Sequence, residues 1–124
     1  MEYEEWEKTI PASMKVDSVW KVTAYRLALF LSDLCWEDIS SLSNDKRTAA
    51  VADQLYRAVG SIGANFAEGY SRSTGKNRAL FYQYVPGSSR QARDWYSTLK
   101  EGISSESKPS STSFRSSAKS FDCW

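Results

Sequence analysis

Apolar residues recur at three- and four-residue steps along three stretches of this chain, which is the spacing of one face of an α-helix. In the first stretch Trp20, Ala24, Leu27, Leu31 and Leu34 share a face, and Val19, Ala28 and Phe30 widen it. The pattern predicts a helix from about Ser18 to Trp36, with the Ser18 hydroxyl accepting from a first-turn N–H. Ser40 to Asp45 reads as a loop by composition. A second helix is predicted from about Lys46 to Ala67, with Leu55, Val59, Ile62 and Phe66 as its stripe. Gly69 then stands where a left-handed residue would end it. After a loop from Tyr70 to Gly75, a third helix is predicted from about Lys76 to Lys100. Its positions are traced by Leu80, Tyr84, Gly87, Arg90 or Gln91, and Trp95, with Phe81, Val85, Ala92 and Leu99 adding apolar surface. Pro86 falls inside it. The missing N–H and the clash with the Tyr82 carbonyl cost about 3 kcal/mol or more, so a kink or break is expected.

The flanks differ. Residues 1–16 read as an irregular acidic lead-in interrupted by Pro11, and residues 17–100 as the helical domain. Residues 101–124 hold nine serines, against twelve in the first hundred residues, and Ile103 is their only Val, Ile or Leu. Such a segment cannot bury an amphipathic face, so it reads as a disordered tail. No sustained two-residue alternation predicts strands, and no internal repeat is visible. The expected class is all-α.

Composition changes this picture in two ways. A chain of 124 residues with five Trp, seven Tyr and five Phe suits one folded domain and excludes disorder throughout. It has no histidine, which removes the usual general base near neutral pH and the commonest metal ligand. The two cysteines, Cys35 and Cys123, form no CxxC pair. Cys35 reads as a small apolar core residue instead. The acidic start, Met1 to Glu5, is unlike a secretory signal, and no apolar run has the length of a bilayer span. A cytoplasmic protein without a membrane partner is expected. Charge is unevenly spread. Residues 1–45 carry four Lys/Arg and nine Asp/Glu, a net of −5, whereas residues 46–100 carry nine and three, a net of +6. The middle of the chain is basic enough to attract a polyanion.

The most distinctive segment is Arg57 to Arg72, centred on Asn65-Phe66-Ala67-Glu68-Gly69. Together with Asp53-Gln54-Leu55-Tyr56 and Phe81-Tyr82-Gln83-Tyr84-Val85-Pro86-Gly87-Ser88, it resembles the signature of the four helix bundle protein family. That family includes proteins encoded in intervening sequences of 23S ribosomal RNA genes, and the accessory protein of diversity-generating retroelements is a relative. The resemblance runs from about Val19 to Tyr96. It implies an antiparallel, up-and-down four-helix bundle and assembly into a homo-oligomer, with pentameric rings among relatives. For the retroelement relative it implies a nucleic-acid-binding basic surface and a reverse-transcriptase partner.

Three features depart from the family pattern. Gln91 stands where a glutamate is usual, and Pro86 where a non-proline is usual. The fourth helix appears in this chain only as serine-rich material from about Ser97, either missing through a shifted reading frame or degenerate. A fourth helix would bury roughly six large apolar side chains at about 1.5–3 kcal/mol each. That is comparable to a whole domain's stability of about 5–15 kcal/mol, and three helices alone would leave an apolar groove.

The candidate functional residues follow from spacing and charge. Asn65 and Glu68 share a helix face and, with Gly69, read as a structural motif where the second helix ends. Gly60 and Gly63 read as close approach of a neighbouring helix. Gly69 to Asn77 superficially suggests a phosphate loop, but five residues separate Gly69 and Gly75, and Asn77 replaces the magnesium-holding hydroxyl. A weaker reading keeps Arg72, Lys76, Arg78 and the start of the third helix as a holder for a backbone phosphate. The wider basic set is Arg47, Arg57, Arg72, Lys76, Arg78, Arg90 and Arg93. Trp20, Trp95, Tyr56, Phe66 and Phe81 sit at helical spacing and read as core before stacking platforms. No catalytic, cofactor or metal constellation stands out. The expected function is a non-enzymatic, oligomeric bundle that binds RNA or DNA through residues 46–100. The alternative is a protein–protein scaffold with no nucleic-acid role.

Overall fold

A computed structural model describes residues 1–42, 45–72 and 74–104, with side chains to residue 100. Every described element is helical: α1 (Tyr3–Thr9), α2 (Ala12–Lys15), a 3₁₀ turn (Ser18–Lys21), α3 (Thr23–Ser40), α4 (Lys46–Ser71), α5 (Gly75–Tyr82) and α6 (Tyr84–Ser104). The chain is all-α, as its periodicity predicts.

The predicted helix boundaries shift for local reasons. Asp17, one residue before Ser18, takes the capping role by accepting from the Val19 N–H at 3.1 Å. It caps a 3₁₀ turn, and α3 begins only at Thr23. The next helix opens as expected, with the Asp45 carboxylate accepting from the Arg47 N–H at 2.8 Å. It does not end at Gly69. Gly69 lies inside α4, buried, and no described glycine has a positive φ. The missing Cβ serves packing instead. A Cβ there would lie 2.7 Å from Tyr82 Cε1 and 3.1 Å from Phe81 Cβ, so α5 can close on α4 only over a bare backbone.

The expected break near Pro86 occurs at Gln83, between α5 and α6. This places Pro86 in the first turn of α6, where its absent N–H would have no intrahelical partner. The buried face of α6 is Val85, Ser89, Ala92, Tyr96 and Leu99. It lies one position later than the stripe expected through Leu80, Tyr84, Gly87 and Arg90 or Gln91, several of which are exposed. The small side chains of Ser89 and Ala92 let α6 sit close to α4 in that phase.

The lead-in is not irregular. Tyr3 to Thr9 forms α1, and Trp6 is only 2% exposed. Its Nε1–H donates to Asp33 Oδ2 at 2.6 Å. Its ring centroid lies 5.2 Å from Phe30 and 6.2 Å from Trp20. A seven-residue helix has too few hydrogen bonds to persist alone. This aromatic contact with α3 supplies its stability.

α4 is the centre of the molecule, packed on one flank against α3 and on the other against α6. Leu55, Val59 and Ile62 are fully buried there, with Ala28, Leu31 and Cys35 from α3 and Ala92, Tyr96 and Leu99 from α6. Tyr96 donates its hydroxyl to Asp38 Oδ2 at 3.0 Å, joining the C-terminal parts of α3 and α6. α4 runs against α3, since Gly63 lies against Ala28 and Tyr56 against Trp36. Residues 101–104 continue α6 rather than beginning a tail. The expected disorder and the missing fourth helix concern residues 105–124, which lie outside the described residues.

Candidate nucleic-acid interface

The end of α4 and the start of α5 form a corner, with residues 72–74 between the two helices. Thr74 accepts from the Asn77 N–H at 3.2 Å and caps α5, while the Gly75 and Lys76 amides of the first turn lie outside the helix's own hydrogen bonding. Arg72, Lys76 and Arg78 stand exposed around this turn. Arg78 Nε donates to the Arg72 carbonyl at 2.8 Å, which ties the Arg78 side chain to the backbone at the end of α4. The Arg72 guanidinium lies 4.7 Å over the Phe81 ring, and that of Arg78 5.5 Å over Tyr70. Because α4 stays helical through Gly69, Glu68 and Arg72 meet as an i,i+4 ion pair. Three cations against one carboxylate leave this corner with a net charge of +2.

The remaining cations are not gathered here. Arg47 lies in the first turn at the opposite end of α4, roughly 37 Å away at a helical rise of about 1.5 Å per residue. Arg57 pairs with Asp53 at 3.1 Å, with both side chains largely exposed. Arg93 lies 3.4 Å from Asp94, and Arg90 is exposed on α6. The structure thus brings together Arg72, Lys76 and Arg78 and separates Arg47, Arg57, Arg90 and Arg93 from them.

The structural motif divides in the same way. Asn65 donates through Nδ2 to the Ser61 carbonyl at 2.8 Å, within its own helix. Glu68 holds Arg72, and Gly69 admits α5. Of the two upstream glycines, a Cβ on Gly63 would reach ordinary contact with Ala28 at 3.7 Å, while one on Gly60 would meet nothing within 4 Å. Close helix approach therefore explains neither as fully as it explains Gly69. Trp20 is buried and Phe66, Trp95 and Phe81 are half-buried, whereas Tyr56 is 38% exposed and its ring meets Trp36 at a tilt, 5.3 Å between centroids.

Sequence reasoning missed two groups. Tyr70 and Tyr84 belong to the basic corner's surroundings, and only the mixture of Tyr and Arg around Tyr70-Ser71-Arg72 could have signalled it. The buried pair Asp38 and Tyr96 was also missed, because the two residues are far apart in sequence. Beside them Cys35 is fully buried. Burial pushes its thiol up to about 12 from the ordinary 9.0, with the Tyr96 hydrogen bond opposing and the Asp38 charge adding to the rise. Among the described residues, no group of three or more His, Cys, Asp or Glu could hold a metal ion. No described helix is long and apolar enough to cross a membrane.

The family described as 23S rRNA-intervening sequence protein matches residues 21–112. The match spans α3 to α6 and continues into the serine-rich residues that the motif alone had left outside. No curated protein and no solved structure matches the chain. With most of its length matched, and with the all-α fold in place, the chain belongs to the 23S rRNA-intervening sequence protein family.

Proposed function

We propose that this protein is a non-enzymatic, homo-oligomeric helical protein that binds RNA or DNA through backbone phosphates. The observation that carries this reading is the α4–α5 turn, on which Arg72, Lys76 and Arg78 all stand exposed and Arg78 bonds the Arg72 carbonyl beside the first turn of α5. Phosphate oxygens suit this arrangement, because the guanidinium groups and amides all donate and the α5 dipole adds positive potential. Glu68 is the one carboxylate at the corner, and its pairing with Arg72 suits a positioning role rather than acid–base work.

Self-association would repeat the corner and convert a weak site into useful avidity. Trp36, 57% exposed beside Tyr56, supplies an apolar surface on the outer side of α3 and α4 that suits contact between copies.

Fluorescence anisotropy with a labelled oligonucleotide across a salt series tests the binding. Three phosphate contacts predict a log–log slope of about −2 to −3. Replacing Arg72, Lys76 and Arg78 together by alanine should remove most of that slope. A flat salt response overturns the proposal. Light scattering tests the assembly, and a monodisperse monomer removes it.

A further inference from the structure

The basic corner continues into a row of planar groups. Tyr70 lies under the Arg78 guanidinium, Arg78 is bonded to the Arg72 backbone, Arg72 lies over Phe81, and Phe81 meets Tyr84 edge-on at 6.4 Å. Tyr84 is 53% exposed and its neighbour Leu80 47% exposed, although both sit at positions the sequence assigns to the core. Isolated exposed aromatics are common, but here two cation–ring contacts, Arg78 over Tyr70 and Arg72 over Phe81, are joined through the Arg72 backbone and continue to Tyr84.

We propose that this row is a binding platform for single-stranded nucleic acid, with unpaired bases stacking on Tyr84 and on the outer faces of the arginines while Lys76 and the α5 amides hold phosphates. The inference rests on the nucleic-acid reading above and narrows its ligand. Duplex bases are already stacked and offer only their edges and backbone, so a double strand would use the cations and leave the exposed ring idle. A single strand can use both, since every base presents a π-face to an aromatic ring or a guanidinium plane. Charge complementarity separates this occupant from a second copy of the chain, which would bring the same +2 corner against itself.

The experiment uses the full chain and three ligands of about 12 nucleotides: a single strand, the same strand as a duplex, and a single strand of abasic sites with the same phosphates. The expected order is tightest binding to the base-bearing single strand, with the duplex and the abasic strand each weaker by about tenfold. Tyr84→Ala should lose about tenfold on the base-bearing strand and nothing on the abasic one, and Tyr84→Trp should retain full affinity. Helical circular dichroism confirms that each variant folds. Equal affinity for the base-bearing and abasic strands, or for single strand and duplex, overturns the platform while leaving the phosphate reading standing. No salt-dependent binding to any ligand overturns both. A Tyr84→Ala variant that loses self-association with unchanged nucleic-acid affinity assigns the row to an interface between copies and also overturns the platform.

Discussion

At Gly69 a single absent methyl group decides how two helices meet. Adding it would force a Cβ to within 2.7 Å of Tyr82 and 3.1 Å of Phe81 Cβ. Overpacking of this kind costs about 1–3 kcal/mol, partly offset by about 1 kcal/mol of better helix propensity. Gly69→Ala should therefore lower stability by up to about 2 kcal/mol in a denaturant titration. Gly60→Ala should do the reverse. Nothing stands within 4 Å of its added Cβ, so the propensity gain of roughly 0.5–1 kcal/mol should appear uncompensated. Cys35 gives a pH signature. Its folded-state thiol is raised to about 12, so folding favours the protonated form. The stability it contributes is complete below about pH 9 and is lost as pH rises through about 12. Tyr3 and Tyr25 are shifted in the same direction, mainly by burial and then by Glu7 and Asp17 respectively. Chemical denaturation midpoints should fall with rising pH in this alkaline window, and Cys35→Ala should flatten the fall. Before unfolding, a thiol-specific reagent should leave Cys35 unmodified.

At the level of elements, α1 and the α3–α6 contact each depend on one side chain meeting a distant partner. Trp6 fills the space against Phe30 and Trp20 and donates to Asp33. Trp6→Ala should cost about 3–5 kcal/mol. It should also release α1, visible as faster amide exchange over residues 3–9. Tyr96→Phe removes the hydroxyl that donates to the buried Asp38. Loss of a hydrogen bond to a buried charged group costs about 1.5–3 kcal/mol. The three long helices were legible in the sequence because each carries its own apolar stripe and loop punctuation. α1 was not, since the spacing of Tyr3, Trp6 and Ile10 makes barely two turns, and a short helix is decided by what it packs on. The phase of α6 was misread for a related reason. Large residues such as Leu80 and Tyr84 weighed toward one face, whereas Ser89 and Ala92, with little hydrophobicity of their own, mark the face that approaches α4.

For the whole molecule, the position of a cation matters more than its sign. Arg47 and Arg72 are both exposed arginines of α4's two ends, Arg47 in its first turn and Arg72 at its C-cap. Arg47→Ala should leave nucleic-acid affinity within about twofold of the parent, while Arg78→Ala should weaken it and reduce the salt slope by about 1. Equal effects from the two would mean a diffuse field rather than a corner. The basic region as a whole was visible in the chain, because net charge is a sum over composition and needs no coordinates. Its division into a gathered set and a scattered set was not. Helix rise and the α4–α5 turn decide which cations meet, and the Arg78 bond to the Arg72 carbonyl exists only once that turn is made. By itself, the sequence determined the all-α class, the three main helices and the family, since periodicity and local motifs are properties of neighbouring residues. Only tertiary structure decided that Gly69 is a contact point rather than a helix end, that Trp6 belongs to the core, and that Arg78 bonds the Arg72 carbonyl across the α4–α5 turn. Each of these depends on a partner supplied by another element, at a distance along the chain that local spacing cannot encode.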